Sequence, residues 1–170
     1  MSRSPTESFE GALATLRERL GERLVAERRL APEPARQAVL APPPPPLLAA
    51  ALAAQGIERL WSHQVEAIAA ARAGQNVLVT TATASGKSLV FQLPVLEEAL
   101  AGGTGRALFL FPLKALGQDQ RGKLLTLAQA AGLDADEFGC EIYDGDTPAA
   151  KRAAIRRRPP QVLVTNPDML

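Results

Sequence analysis

Apolar residues near the start of the chain recur at intervals of three and four positions. The stripe consists of Phe9, Leu13, Leu16, Leu20 and Leu24. Spacing of this kind is typical of one face of an amphipathic helix, and it predicts a helix over residues 6–30. Five consecutive prolines at 42–46 then interrupt regular structure, because proline fixes φ and lacks a backbone donor. We therefore predict a helical extension with a proline-rich linker over 1–46 and a separate domain over 47–170.

From residue 47 onward, short apolar runs alternate with longer helical patterns. Four runs have the composition of strands buried on both faces of a parallel sheet, and they cover residues 76–81, 106–112, 140–145 and 161–166. Helices are predicted over residues 47–57, 62–74, 86–101, 114–132 and 147–158. We expect Ser62 to be the N-cap of the second of these helices. Strands that alternate with helices in this way predict an α/β fold with a doubly wound parallel sheet.

Composition and charge narrow the functional class without identifying it. The 170 residues carry a formal net charge of +1, so any nucleic-acid interface must come from local clusters of charge. A single cysteine, Cys140, excludes a disulfide framework and a cysteine-based zinc site within this chain. The first ten residues are polar, and no apolar run reaches the roughly 18 residues of a membrane span. We therefore expect a cytoplasmic protein without a membrane partner.

The turn after the first predicted strand has the features of a phosphate-binding loop. The stretch TATASGKS at 81–88 contains only small residues apart from Lys87, so its backbone N–H groups can approach phosphate oxygens closely. The glycine that usually opens such a loop is replaced by Thr81. We predict that Lys87 contacts the β- and γ-phosphates and that Ser88 binds Mg²⁺. An ordinary helix start with a solvated lysine is the alternative interpretation.

Five segments of the chain occur in an order that is found in one group of helicases. They are LWSHQVEAI at 60–68, TATASGKS at 81–88, FPLKALGQDQ at 111–120, YDGDTP at 143–148 and TNPDML at 165–170. In this order they resemble the first RecA-like motor domain of the superfamily 2 DEAD/DEAH-box helicases, and within that group the MrfA (YprA) type of bacterial repair helicase. The resemblance covers about residues 50–170. It implies a P-loop NTPase fold and an ATP-dependent DNA helicase that acts in DNA repair.

The resemblance also implies a nucleotide site. Gln64 would read the adenine base of ATP, because a glutamine amide can pair with two atoms of adenine. The phosphate loop would consist of Thr83, Ala84, Ser85, Gly86, Lys87 and Ser88, and Lys87 and Ser88 would serve catalysis with Mg²⁺. Ala82 and Ala84 stand where relatives often carry glycine, and their methyl groups are costly only where φ is positive.

A nucleic-acid interface is implied in the same way. Single-stranded or partly duplex DNA, with RNA as the alternative, would contact Pro112, Leu113, Lys114, Gly145, Asp146, Thr147, Thr165, Asn166 and Asp168. These residues follow the carboxyl ends of predicted strands, which is where ligands bind in open α/β sheets. The basic cluster of residues 151–158 either adds phosphate contacts or forms a solvated helix face; its members are Lys151, Arg152, Arg156, Arg157 and Arg158.

Two aromatic residues close to Gln64 admit two interpretations each. Trp61 either packs in the core or takes part of the base-stacking role of an aromatic that is usual further upstream, where this chain has Leu47. His63, the only histidine of the chain, either packs and caps locally or takes part in catalysis.

The acidic residues that hydrolysis requires are missing from the recognisable motifs. Helicases of this group carry a DExH tetrapeptide and a second RecA-like domain with arginine fingers, and neither is found in this sequence. We therefore expect a fragment, truncated before DExH, that binds ATP and nucleic acid but does not hydrolyse ATP alone. A stand-alone binding module is the first alternative. An unrelated P-loop enzyme such as a small kinase is less favoured, because it has no use for the later motifs.

Overall fold

A computed structural model describes residues 5–29, 36–134 and 138–170. The chain forms two compact units, residues 1–34 and 35–170. The first unit contains helix α1 (Pro5–Leu20) and a 3-10 turn (Gly21–Arg23). None of the residues 9–29 is buried. The first unit therefore has no hydrophobic core of its own among these residues.

The predicted helix over 6–30 is wrong over residues 21–29, and residue 30 lies outside the described residues. Gly21 has a φ of +47°, a left-handed conformation that glycine adopts readily and that ends an α-helix. The following segment is irregular, and its charged side chains pair with residues of α1. Arg17 pairs with Glu27, and Arg29 pairs with Glu10 at 2.8 Å. The apolar stripe continues past Gly21 to Leu24, but the left-handed glycine ends the α-helix before the stripe ends.

The second unit has the α/β organisation that the sequence predicts. Its helices are α2 (Pro46–Ala54), α3 (Ser62–Arg72), α4 (Ser88–Leu100), α5 (Lys114–Ala130) and α6 (Ala149–Arg157). Its strands are β1 (Gln37–Ala38), β2 (Leu60–Trp61), β3 (Ala107–Leu110), β4 (Cys140–Tyr143) and β5 (Val162–Thr165), and a 3-10 turn follows at Pro167–Met169. β1 and β2 pair antiparallel, whereas the main sheet is parallel in the order β3-β5-β4.

The core of this unit lies between the parallel sheet and its helices. Val162 and Val164 on the central strand β5 are almost fully buried. A Cβ atom added to Gly117 of α5 would lie 3.2 Å from Cγ1 of Val164, so glycine allows the helix to approach the sheet closely. The largest fully buried side chains of the helices are Leu48, Ile68, Leu93, Leu96, Leu124 and Leu127. Burial also raises the pKa of the Cys140 thiol to about 11, which makes it a packing residue and not a nucleophile.

The predicted strand over 76–81 does not form. These residues are irregular, and the side chain of Leu78 is 88% exposed. A β-branched run becomes a strand only where a neighbouring strand offers backbone groups to pair with. Among the described strands none lies beside it. β3 is an edge strand of the main sheet, with Leu108 and Leu110 about half exposed.

The proline-rich segment packs within the second unit. Leu40 is buried, Pro45 precedes the first residue of α2, and the Ala41–Pro42 peptide bond is cis. The Pro42 carbonyl accepts a hydrogen bond from Arg72, whose guanidinium also pairs with Glu97 of α4. None of the described helices is long and apolar enough to cross a membrane.

We expect Leu93→Ala to lower the free energy of unfolding by about 2–5 kcal/mol, because Leu93 is fully buried and its truncation leaves a cavity. Leu78→Ala should change the same quantity by less than about 0.5 kcal/mol, since that side chain lies on the surface. Chemical denaturation of both variants and the parent chain tests the pair. A comparable loss of unfolding free energy for Leu78→Ala would indicate that Leu78 lies in a buried strand, as the sequence predicts.

Candidate functional site

The residues of the predicted phosphate loop form a compact turn that leads into α4. Ala84 and Gly86 have φ values of +60° and +73°, and these two left-handed residues reverse the backbone. The hydroxyls of Thr81 and Ser85 lie 2.6 Å apart and share a hydrogen bond. Ser88 is the first residue of α4, so the loop lies at the end of a helix where backbone N–H groups favour anions.

The Lys87 side chain folds back over this turn. Its Nζ donates hydrogen bonds to the carbonyl oxygens of Thr81, at 2.8 Å, and Ala82, at 2.6 Å. Both acceptors are neutral backbone groups. The ammonium can therefore exchange them for the oxygens of an anion and gain a charge-assisted interaction.

Two side chains of α3 hold the opposite side of the loop. His63 Nε2 lies 3.0 Å from the carbonyl oxygen of Ser85. Because a carbonyl only accepts, this nitrogen carries the proton. The amide of Gln64 donates to the Gly86 carbonyl at 2.8 Å. His63 thus has a positioning role, in line with the non-catalytic interpretation of the sequence.

Gln64 is 2% exposed and both ends of its amide are engaged. Its Oε1 accepts from the backbone N–H of Trp61 at 2.9 Å, which makes Trp61 the N-cap of α3 and places Ser62 inside the helix. The predicted N-cap role of Ser62 is therefore wrong. Trp61 is the N-cap residue, and its backbone N–H donates to the Gln64 side chain. Adenine recognition by Gln64 requires these bonds to be exchanged and stays a prediction. Trp61 is 40% exposed and is not a core residue.

The residues predicted to bind nucleic acid gather at one edge of the parallel sheet. Three of them are buried, and these are Thr147, Thr165 and Asn166. The exposed ones are Pro112, Leu113, Lys114, Gly145, Asp146 and Asp168. The Thr165 hydroxyl donates to the Tyr143 carbonyl and joins β5 to β4. The buried residues thus support this edge, and the exposed residues form its surface.

Asp144 organises the loop after β4, and sequence reasoning missed this role. Its Oδ1 accepts from the backbone N–H groups of Asp146 and Thr147, both at 3.0 Å, and from the Thr147 hydroxyl at 2.9 Å. An aspartate that bonds N–H groups two and three residues further on is a recurrent turn motif. The order Asp-Gly-Asp-Thr in the sequence was the signal that could have revealed it.

A cavity of about 460 Å³ lies beside this loop, and both signs of charge line it. Lys114 Nζ pairs with Asp146 at 2.6 Å, and Lys151 of the basic cluster pairs with Glu141 at 2.8 Å. The hydrogen bond to Asp146 is the main cause that raises the pKa of Lys114, with Asp144 and Asp168 contributing. Arg156 donates to the Tyr143 hydroxyl at 3.0 Å. α6 therefore brings part of the basic cluster next to the predicted interface.

Comparison with known proteins relates this chain to helicases. The sequence profile of the DEAD/DEAH box helicase family matches residues 61–170. The ATP-dependent helicase YprA of Bacillus subtilis is 38% identical over 149 residues, which are 88% of this chain and 19% of the relative. The ATP-dependent helicase hrq1 of Schizosaccharomyces pombe is 38% identical over 116 residues, which are 68% of this chain and 11% of the relative.

Solved structures give the same picture. A crystal structure of the helicase MrfA bound to DNA and AMPPNP is 34% identical, with a TM-score of 0.77, and the match covers 89% of this chain and 22% of that chain. The structure of the Mycobacterium smegmatis helicase Lhr bound to single-stranded DNA and AMP-PNP is 29% identical, with a TM-score of 0.65, and that match covers 73% of this chain and 17% of that chain. The chain thus spans about a fifth or less of the length of these relatives. The predicted RecA-like α/β fold is confirmed.

We expect Ala84→Gly to raise the free energy of unfolding by about 1 kcal/mol, because a non-glycine residue is strained at positive φ. Ala82→Gly is the matched control. Ala84 is the one non-glycine residue with positive φ in the described ranges, so glycine at 82 should cost about 0.5–1 kcal/mol through chain entropy. Thermal and chemical denaturation measure both changes. Equal changes in unfolding free energy for the two substitutions would show that the backbone at Ala84 is not strained.

Proposed function

The chain belongs to the DEAD/DEAH box helicase family, and from this we propose that it is the ATP-binding and nucleic-acid-binding part of an ATP-dependent DNA helicase. The relatives it matches are several times longer. The DExH residues and the second RecA-like domain would lie outside these 170 residues. A role in DNA repair and a cytoplasmic location are parts of the same proposal.

The observation that carries the proposal is the arrangement of the loop at 81–88. Two side chains of α3 hold its carbonyls from one side, and Lys87 spans it from the other. This arrangement leaves the ammonium of Lys87 on neutral acceptors at the start of a helix. A triphosphate offers charged oxygens instead, so nucleotide binding would move Lys87 from Thr81 and Ala82 to the β- and γ-phosphates.

Mg²⁺ would bind together with the nucleotide, and the hydroxyl of Ser88 fits it as a ligand. No group of three or more His, Cys, Asp or Glu side chains suited to a metal occurs in the described part of the chain. Magnesium is usually held by few protein ligands together with substrate phosphates. Ser88, at the first position of α4, would supply one hydroxyl oxygen. The ion would neutralise charge on the phosphates.

Nucleic acid would bind to the exposed residues that follow the carboxyl ends of the β-strands. Lys114, Gly145 and Asp168 lie at one edge of the sheet, and Lys151 lines the adjoining cavity. MrfA and Lhr are bound to DNA in solved structures, which supports single-stranded or partly duplex DNA as the partner, with RNA as the alternative. Contacts of this kind are made to phosphates and carry little sequence information.

We expect Lys87→Ala to weaken ATP binding by roughly 10- to 150-fold, which corresponds to about 1.5–3 kcal/mol for a charge-assisted hydrogen bond. A fluorescent ATP analogue or calorimetry measures the affinity. Lys123→Ala, which removes an exposed lysine of α5 that pairs with Asp119, is the control and should bind like the parent. Unchanged affinity in a Lys87→Ala chain that melts normally would remove the loop from the nucleotide site.

We expect the 170-residue chain to turn over ATP only at background rate, with or without single-stranded DNA. Lys87 and Ser88 can hold the triphosphate, but no described group supplies the acidic pair or the arginine finger. An arginine finger alone is worth about 10³–10⁵ in rate. A coupled phosphate-release assay tests this, and Lys87→Ala defines the background. DNA-stimulated turnover that Lys87→Ala abolishes would show that the chain carries a complete catalytic site.

A stand-alone module that binds without turnover is the second candidate, because these 170 residues contain no DExH tetrapeptide. The two candidates differ in what a longer form of the protein does. Turnover by a chain extended to the length of the relatives selects the helicase, whereas nucleotide binding without turnover in that chain selects the module.

A further inference from the structure

Lys114, which is proposed to bind nucleic acid, already forms an ion pair with Asp146 of the same chain. Lys114 Nζ lies 2.6 Å from Oδ2 of Asp146, and the two side chains remain 47% and 76% exposed. Lys114 is the first residue of α5, whereas Asp146 lies in the loop after β4. The contact therefore joins two of the three segments that form the predicted interface.

Asp146 is held in this position by the loop around it. Asp144 is 7% exposed, and its Oδ1 accepts from the Asp146 backbone N–H at 3.0 Å. The same oxygen also binds Thr147, which is itself buried. Because the backbone of Asp146 is fixed, its carboxylate remains within reach of Lys114. Asp168 adds a further carboxylate to the surroundings of that ammonium.

The Lys114 ammonium has three N–H donors and could contact a phosphate while it holds Asp146, but the carboxylate offsets its charge and repels a phosphate diester. We infer that Asp146 is an intramolecular competitor for Lys114: its carboxylate offsets the charge of the ammonium and lowers the affinity of Lys114 for a nucleic-acid phosphate. This inference rests on the proposed function and adds a residue that limits affinity. It also changes the role predicted for Asp146. The residue would compete with nucleic acid for Lys114 and would not contact the nucleic acid itself.

The expected effect of Asp146→Asn follows from the strength of an exposed ion pair. Such a pair typically contributes little, so its removal should tighten binding of a single-stranded oligonucleotide by about two- to fivefold. Lys114 would then meet a phosphate with a charge that no neighbouring Asp146 carboxylate offsets. The slope of log affinity against log salt should become steeper by about 0.7, the value expected for one contact on a single strand.

Asp119→Asn is the matched control. Asp119 pairs with Lys123 at 2.7 Å, and both side chains are exposed, at 49% and 62%. Lys123 does not line the cavity that contains Lys114 and Asp146. The substitution makes the same change in net charge as Asp146→Asn and breaks a similar ion pair on α5. It should leave the salt slope unchanged.

Fluorescence anisotropy with a labelled oligo(dT) over a series of salt concentrations measures these quantities. The chains compared are the parent, D146N, D119N, K114A and the double variant K114A/D146N, each checked by thermal melting. A steeper slope for D146N that disappears in the K114A background supports the competition. Weaker binding by D146N would assign Asp146 to a direct contact with the strand, and a slope equal to that of D119N would leave it without a role. Either result overturns the inference while the proposed function stands, whereas no binding by parent and D146N overturns both.

Discussion

The hydrogen bond from the Gln64 amide to the Gly86 carbonyl is the contact on which the geometry of the candidate phosphate loop depends. The segment before the loop forms no strand with the described sheet, so α3 anchors the loop where a neighbouring strand does not. Gln64 can do so because its other amide end is fixed by the N–H of Trp61. A Cβ atom at position 86 would lie 2.4 Å from Gln64 Nε2, so this close approach requires glycine.

The second candidate surface depends on the register of the parallel sheet. Thr165 on the central strand is level with Leu110 of β3 and Tyr143 of β4. Because all three strands run in the same direction, the segments that follow them leave the sheet at one edge. Lys114 and Asp146 are 32 positions apart in the sequence, yet this register brings their side chains into contact. The Thr165 hydroxyl strengthens the same edge through its bond to Tyr143.

Most of the fold could be predicted because its signals are local. Strands β3, β4 and β5 and helices α2 to α6 were predicted with shifts of a few residues at their ends, and the family resemblance is confirmed. Residues 76–81 have an equally strong β-pattern, but pairing depends on a partner elsewhere, which composition does not reveal. The positive φ of Ala84 could not be predicted either, because alanine does not favour a left-handed backbone conformation. The pairing of Lys114 with Asp146 depends on register and rotamers, and neither can be read from residue types.

The two lysines at the candidate sites differ in the acceptors that they already bind. Lys87 binds the carbonyls of Thr81 and Ala82, which carry no net charge, whereas Lys114 binds the carboxylate of Asp146. Replacing a neutral acceptor by a phosphate oxygen gains a charged pair, but replacing a carboxylate only exchanges one charged pair for another. The carboxylate of Asp146 would also lie close to a phosphate bound by Lys114 and repel it. We therefore expect Lys87 to contribute more to binding of a triphosphate than Lys114 contributes to binding of a nucleic-acid backbone. Affinity for a strand must then come from several weak phosphate contacts, to which the exposed arginines of α6 can add.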